Sequence, residues 1–379
     1  MNVLIVVPGF PVNTGQIKGG VHSALANLLK GFAELPVNIR VVSFNRELAE
    51  KKLTLFSSRI EIYYHPEGRF PHAINYLFNG SKIVRQHIRQ FNPSIVHYSM
   101  SGYILLTRVW GLYHRVTLTT IHGIAFPEAR QKKKLKDKLV FYSNGIVEIF
   151  CLPKNLIHLS NYSRTLMGRK GNYSLIPNAV DSSFFAISPK DKIHNKLIYA
   201  GAIDRNKNLI FLLKALKQLV DQRYFFKLDV LGGYTETDGY EQEINTFIEQ
   251  HQLGAYVQFH GWVNQNTLQT ILAKADILVV SSFQESLPMV IAEAMAAGKL
   301  VIASRVGGIP EMIEHGEDGF IMDTDKPENL AQLLIPLYQQ PGKVLAIQKK
   351  ARQKALATYP GKRIAEKNLN FYQQLLLGH

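Results

Sequence analysis

The chain has a single cysteine, Cys151, among its 379 residues. An internal disulfide framework is therefore excluded, and a reducing compartment fits. Cys151 lies in the apolar run IVEIFCLP and reads as a small buried hydrophobe. Long apolar runs are also missing, since none approaches the roughly 18 residues of a spanning helix. The opening MNVLIVVPGF has no basic lead and only a short apolar run, so it is expected to be a first strand and not a signal peptide. Neither G-x-G-x-x-G nor a Walker A string occurs, which weakens dinucleotide and ATP readings. Short solenoid repeats are absent, and the one internal echo is a pair of similar α/β halves.

Charge is scarce in one sense and lopsided in another. Residues 1–180 hold 23 Lys and Arg against 8 Asp and Glu, whereas residues 181–379 hold 21 of each. The whole formal charge of +15 thus belongs to the N-terminal half. Its densest piece carries Arg130, Lys132, Lys133, Lys134, Lys136 and Lys138 on an expected helix over 127–150. An anionic membrane surface or anionic acceptor would suit that half, and a solubilising helix face explains it as well. Basic clusters beside a membrane attract acidic lipids by about 1 kcal/mol per charge. No nucleic-acid motif accompanies the charge, so nucleic acid is not an expected partner.

The most informative stretch is 281–320. ADILVVSS and KLVIAS read as buried strands. Between them Pro288 marks the start of a helix that stops at Gly298, because proline is tolerated where an N–H would go unpaired. Glu285 then stands in the loop before the helix and Glu293 inside it. Pro288, Met289 and Val290 open the helix, and its first free N–H groups, starting after the proline, suit the phosphates of a nucleotide. A carboxylate accepts two hydroxyls at once, so Glu293 suits a ribose diol and Glu285 the hydroxyls of a sugar.

With Gly307-Gly308-Ile309-Pro310-Glu311 and Asp318-Gly319-Phe320 behind it, the Glu285/Glu293 pair resembles glycosyltransferase family 4, the retaining GT-B enzymes. The resemblance runs over most of the chain and is strongest from Pro177 to Met322. It implies two Rossmann-like domains facing each other across a cleft, an α/β class. The expected bounds are 1–181 for an acceptor-binding domain, 182–195 for a linker and 196–360 for a donor domain. A last helix, 361–379, would cross back to the first domain.

The same resemblance distributes roles. The strand at 115–123 ends at His122, a family-like position near the donor sugar. Gly19 and Gly20 lie in a loop facing the donor diphosphate, although a tight turn explains two glycines equally well. Arg205 and Lys207 would neutralise the diphosphate, with Arg205 standing in for an arginine that many members carry where this chain has Ala202. Fixed positive charge there stabilises a leaving group that gains negative charge. Gly232, Gly261 and Trp262 would lie along the nucleotide, Trp262 being equally suited to the core. Asn161 is expected to cap a helix, and Ala179 replaces a glycine usual in the family. Asp323-Thr324-Asp325 follows a C-terminal strand, away from the expected phosphate position, so no metal and no cofactor are expected.

The implied activity is transfer of a hexose-type residue from a nucleotide diphosphate sugar to a hydroxyl, with retention, through a front-face route. A UDP-sugar is favoured over GDP-mannose. The acceptor would be a lipid-linked glycan at the cytoplasmic face of a membrane, in cell-surface polysaccharide synthesis. Two other readings stay open: a nucleotide-sugar epimerase of the same fold, and a non-catalytic membrane- or polyanion-binding module on a GT-B scaffold.

Overall fold

A computed structural model describes residues 1–12, 19–67, 79–99, 116–123, 142, 152–168, 171–189, 192–235 and 239–378. The basic stretch Arg130 to Lys138, all of the expected helix over 127–150 except Tyr142, and Cys151 lie outside the described residues. The chain divides into two compact units. Unit 1 is Met1–Ala179 with Gly361–His379, and unit 2 is Val180–Pro360.

Unit 1 is built on an eight-stranded sheet in the order β3-β4-β2-β1-β5-β6-β7-β8. These strands are β1 (Asn2–Pro8), β2 (Asn38–Asn45), β3 (Lys52–Ser57), β4 (Ile60–Pro66), β5 (Ile95–Tyr98), β6 (Thr117–Ile121), β7 (Asn155–His158) and β8 (Asn172–Leu175). All pairings are parallel except β3 with β4. Strand alternation sends Val3, Ile5 and Val7 to one face and Leu4 and Val6 to the other. The first face meets α1 (Gly20–Ala33) and α12 (Gly361–Leu377), and the second meets α2 (Ser81–Phe91) and α3 (Asn161–Met167). Ser160, not Asn161, caps α3, its Oγ accepting from Ser163 N at 3.2 Å. The serine is the residue with extended backbone, which is what a cap requires.

Unit 2 carries a six-stranded, all-parallel sheet in the order β11-β10-β9-β12-β13-β14. Its strands are β9 (Lys196–Ala200), β10 (Lys227–Leu231), β11 (Val257–Gly261), β12 (Ile277–Val280), β13 (Leu300–Ser304) and β14 (Phe320–Met322). Helices cover both faces, as a parallel sheet requires. One face meets α5 (Leu209–Asp221), α6 (Tyr240–Gln250) and α10 (Glu328–Gln339). The other meets α4 (Ser182–Phe185), α7 (Gln265–Lys274), α8 (Met289–Ala296), α9 (Ile309–Met312) and α11 (Pro341–Thr358). The first residues of the expected linker, 182–187, pack on unit 2. Phe184 is fully buried in the unit 2 core, and Arg352 Nη1 donates to Ile187 O at 2.7 Å. Ala179 is buried and is not among the residues with positive φ, so the missing glycine costs nothing there.

Both sheets reverse direction once. In unit 2 the reversal lies between β9 and β12, and in unit 1 between β1 and β5. Loops leaving such neighbouring strands part company and open a crevice at the C-terminal edge, where open α/β sheets bind ligands.

Candidate functional site

At the unit 2 reversal the loop after β9 meets the loop after β12. Phe283 N donates to Asn206 O at 2.8 Å, and Asn206 Nδ2 donates to Gln284 O at 3.1 Å. Ser281 Oγ donates to the carbonyls of Lys207 and Asn208, both at 3.0 Å. This stitching brings two of the expected residues together. Lys207 Nζ lies 2.5 Å from Glu285 Oε1, which also accepts from Ser282 Oγ at 2.7 Å. Lys207 N donates to Asp204 Oδ1 at 2.8 Å, which fixes the turn that carries the lysine.

Glycine is required at two points around this pair. Gly307 has φ +57, and a Cβ there would overlap the Glu285 carbonyl oxygen. Gly232 has φ +138, and a Cβ there would overlap the Gly201 carbonyl oxygen. Gly232 N donates to Gly261 O at 2.8 Å, so the ends of β9, β10 and β11 form one backbone floor. Trp262 lies against Gly233 with half its surface exposed. Pro288 precedes α8 with extended backbone, as the cap and not the first helical residue, and Met289 and Val290 open the helix.

Two expected residues have further engagements. Arg205 Nη1 pairs with Glu243 Oε2 at 2.8 Å, and its guanidinium lies 4.9 Å from the centre of the Tyr240 ring. Glu293 is buried in α8, and burial, with a smaller effect of Asp181, pushes its carboxyl up to about 7. Asp181 is itself buried and caps α4, accepting from Ser183 N at 2.9 Å. Asp323 and Asp325 close a turn, pairing with Arg305 at 3.2 Å and Asn329 at 2.9 Å. Among the described residues no group of three metal-ligating side chains exists.

Unit 1 holds the other expected residues. His122 follows β6, partly buried, and burial with a smaller effect of His22 lowers its pKa to about 4. Gly19, with φ +88, caps α1, and Gly20 is its first residue; both are exposed. His22 Nε2 lies 2.9 Å from Pro8 O. His97, in β5, is wholly buried between Tyr372 Oη and Thr120 Oγ1, at 2.7 Å from each.

Two family models match the chain in tandem. The model described as Glycosyltransferase Family 4 matches residues 18–184, and that described as glycosyl transferases group 1 matches residues 181–354. The chain belongs to glycosyltransferase family 4. This family 4 chain is 31% identical over 160 residues to a lipopolysaccharide 1,2-N-acetylglucosaminetransferase of Salmonella typhimurium, a match covering 39% of the chain and 42% of that relative. It spans about half the length of the curated relatives that head the comparison. In fold it is similar to sucrose-phosphate synthase from Thermosynechococcus elongatus, with a TM-score of 0.84 at 19% identity over all of both chains. It is also similar to Anabaena HepE in complex with UDP-glucose, with a TM-score of 0.74 at 17% identity over 99% of this chain and 100% of that one. The GT-B fold of family 4 is therefore the fold of this chain.

Several groups around the family 4 site escape a reading of the sequence. Glu243 lies 38 residues beyond Arg205, and no pattern links them. Asp181 precedes Glu293 by more than a hundred residues, and nothing in the sequence places the two together. The membrane question gains one fact: no helix among the described residues is long and apolar enough to cross a bilayer.

Proposed function

We propose that this chain transfers a hexose-type sugar from a nucleotide diphosphate donor to a hydroxyl acceptor, with retention of configuration. The observation that carries the reading is the Lys207–Glu285 pair at the unit 2 reversal, at the foot of α8 and beside the Gly232 backbone floor. In this reading Lys207 meets the diphosphate, with Arg205 as the second cation. As the glycosidic bond breaks, the leaving phosphate gains charge, and a fixed ammonium stabilises that state more than the ground state. Glu285, held by Ser282, orients the sugar, and Glu293 takes the ribose diol. The backbone around Gly261 and Trp262 flanks the base. Neutral His122 offers a hydrogen bond to a sugar hydroxyl. No step needs a metal ion, because two cationic side chains can carry the phosphate charge.

UDP is the favoured nucleotide, in keeping with HepE, whose structures hold UDP and UDP-glucose. A lipid-linked glycan is the favoured acceptor, in keeping with the lipopolysaccharide-modifying relative and the basic N-terminal half. The test is calorimetry with UDP and GDP on the full chain, then product analysis with donor alone and with acceptor. Micromolar UDP binding that Lys207→Ala weakens supports the donor site. Preference for GDP redirects the sugar search to mannose. Turnover of donor to an epimer without acceptor sinks the transferase reading, and a folded chain that binds neither nucleotide sinks the site.

A further inference from the structure

The unit 2 crevice opens where two neighbouring strands part. β9 pairs with β10 along all five of its residues, but with β12 over only two pairs, Leu197 with Ile277 and Ile198 with Leu278. Beyond Ile198 and Leu278 the two chains lead separately to Lys207 and to Glu285. Two residues rejoin them. Fully buried Ser281 donates to the carbonyls of Lys207 and Asn208. Asn206 reaches further along the opposite loop. Its carbonyl accepts from Phe283 N at 2.8 Å, and its Nδ2 donates to Gln284 O at 3.1 Å. One residue thus grips two successive backbone groups, and Glu285 is the next residue along.

The turn that carries Asn206 has little freedom. Lys207 N donates to Asp204 Oδ1 at 2.8 Å, Asn208 N donates to Asp204 O at 3.3 Å, and Asn208 ends the turn with φ +55. The far side of the glutamate loop is held too. Gly308 N donates to Glu285 O at 3.4 Å, and a Cβ at Gly307 would collide with that oxygen. The main chain at Glu285 therefore lies between Asn206 on one side and Gly307-Gly308 on the other. The Asn206 amide cannot turn over, because Oδ1 would then face the Gln284 carbonyl, acceptor against acceptor. Held this way, Oδ1 is buried with no partner among the described residues. A neutral hydrogen bond is worth little net, and an unpaired buried oxygen offsets part of that. Asn206 is thus a weak device for stability and a good one for spacing.

We propose that Asn206 is a positioning residue for Glu285, setting how far the glutamate loop stands from Lys207 at the unit 2 crevice. It acts through the Gln284 carbonyl and touches no substrate. With the amide gone, the peptide before Glu285 shifts, and the carboxylate no longer meets the sugar and the lysine in one geometry. The diphosphate is met by Lys207, whose own main chain Asp204 and Ser281 hold independently, so nucleotide affinity is little affected. The proposal rests on the glycosyltransferase reading and adds to it a residue that works on the sugar step alone.

Asn206→Leu tests it, since leucine fills a similar space without the donor and without the unpaired oxygen. Affinity for UDP and GDP is measured by calorimetry. Nucleotide release is followed with UDP-glucose, UDP-galactose, UDP-N-acetylglucosamine and GDP-mannose, water serving as acceptor. Asn206→Leu is expected to lower the rate about tenfold. Nucleotide affinity should stay within about twofold of wild type, and the urea midpoint should not move. In a Glu285→Gln background the same substitution should cost less than about threefold, because the group it positions is already impaired. Equal losses in both backgrounds overturn the proposal, and so does an unchanged rate in Asn206→Leu. A lower urea midpoint with nucleotide affinity lost in proportion shows a merely structural role and overturns it too. Asn206→Ala removes the same bond without adding bulk, and replaces leucine if the leucine protein does not fold. A wild type that turns over a donor while the cycle fails sinks the positioning role alone. A wild type that binds no nucleotide, or releases none from any donor, sinks the glycosyltransferase reading and the positioning role with it.

Discussion

The two sheet reversals are built from opposite materials. In unit 2 the crevice is lined by charge: Lys207 against Glu285, Arg205 against Glu243, and the Asp204 carboxylate under the turn. In unit 1 it is lined by neutral groups: His97, His122, Thr120 and Ser99. The overall charges run the other way, because the net +15 belongs to the N-terminal half and the C-terminal half balances. Net charge therefore says little about where an ion is handled. What matters is whether charges are paired and partly shielded at a strand edge, as Lys207 and Glu285 are, where a few count for more than many on a solvated face.

The hardest test of the contrast is Gly307→Ala. A Cβ at φ +57 that overlaps the Glu285 carbonyl must move the loop, with a cost on the order of 3 kcal/mol. Nucleotide binding should vanish and the urea midpoint should fall, with faster hydrogen exchange in peptides over 281–312. Unit 1 peptides exchanging equally fast would show that the glycine supports something more general than the glutamate loop. Next comes Lys207→Ala, expected to lower kcat about 100-fold, with Glu285→Gln costing a similar factor. A double-mutant cycle should show strong non-additivity, since the two side chains touch. Additive losses would mean that the pair serves two unconnected tasks.

The contrast also predicts opposite responses to pH. His65 and His87 face each other in unit 1, Nε2 to Nε2 at 2.9 Å, each with its Nδ1 unpartnered among the described residues. Burial lowers both to about 4, and nearby Lys51 adds to the effect. Below an unfolded pKa near 6.5 the unfolded chain takes up protons that the folded one refuses. Unit 1 stability should thus fall as pH drops from about 6.5 to 4. Glu293 acts with the other sign. Its folded carboxyl titrates near 7 against an ordinary value of 4.5, so the folded chain holds a proton that the unfolded chain has lost. Its contribution is full below 4.5 and disappears as pH rises toward 7, by at most about 3 kcal/mol. Exchange rates resolved by segment should show the two limbs. Glu293→Gln should flatten the unit 2 limb, and His87→Gln should make the unit 1 limb shallower without removing it, because buried His65, His97, His122 and His158 are lowered as well. A Glu293→Gln protein with an unchanged unit 2 profile would put the source of that limb elsewhere.

Legibility from sequence followed the range of the interaction. The α8 region was readable because Pro288, the buried strands and Gly298 act over a few residues. Most strands in both halves were readable because they are apolar runs. β3 was not, since Lys52 to Ser57 has exposed Leu53 and Leu55 and is an antiparallel edge, with no core face to impose a period. The packing of the linker's first residues on unit 2 was hidden for a related reason. Pro189 and polar neighbours look loop-like, but the burial of Phe184 is decided by α8, about a hundred residues on. Tyr372 meets His97 across 275 residues, and nothing in either neighbourhood announces the other.

The smallest effect concerns Arg205, and it sharpens what counts as site charge. Its partner Glu243 keeps 44% of its side-chain surface exposed and Arg205 keeps 31%, so the pair is well solvated. Glu243→Gln should change stability by less than about 1 kcal/mol. If Arg205 serves the diphosphate, Glu243 competes for it, and removing that carboxylate should tighten UDP binding up to about fivefold at low salt. The gain should shrink at 0.5 M salt, where exposed pairs are screened over a few ångströms. Arg205→Ala should then weaken UDP by a comparable factor. If Arg205→Ala leaves UDP affinity unchanged, Arg205 belongs to α6, and the cation that the family places at Ala202 has no replacement here. Lys207 would then carry the diphosphate alone, and unit 2 would handle its ion with one charge fewer than the comparison assigns it.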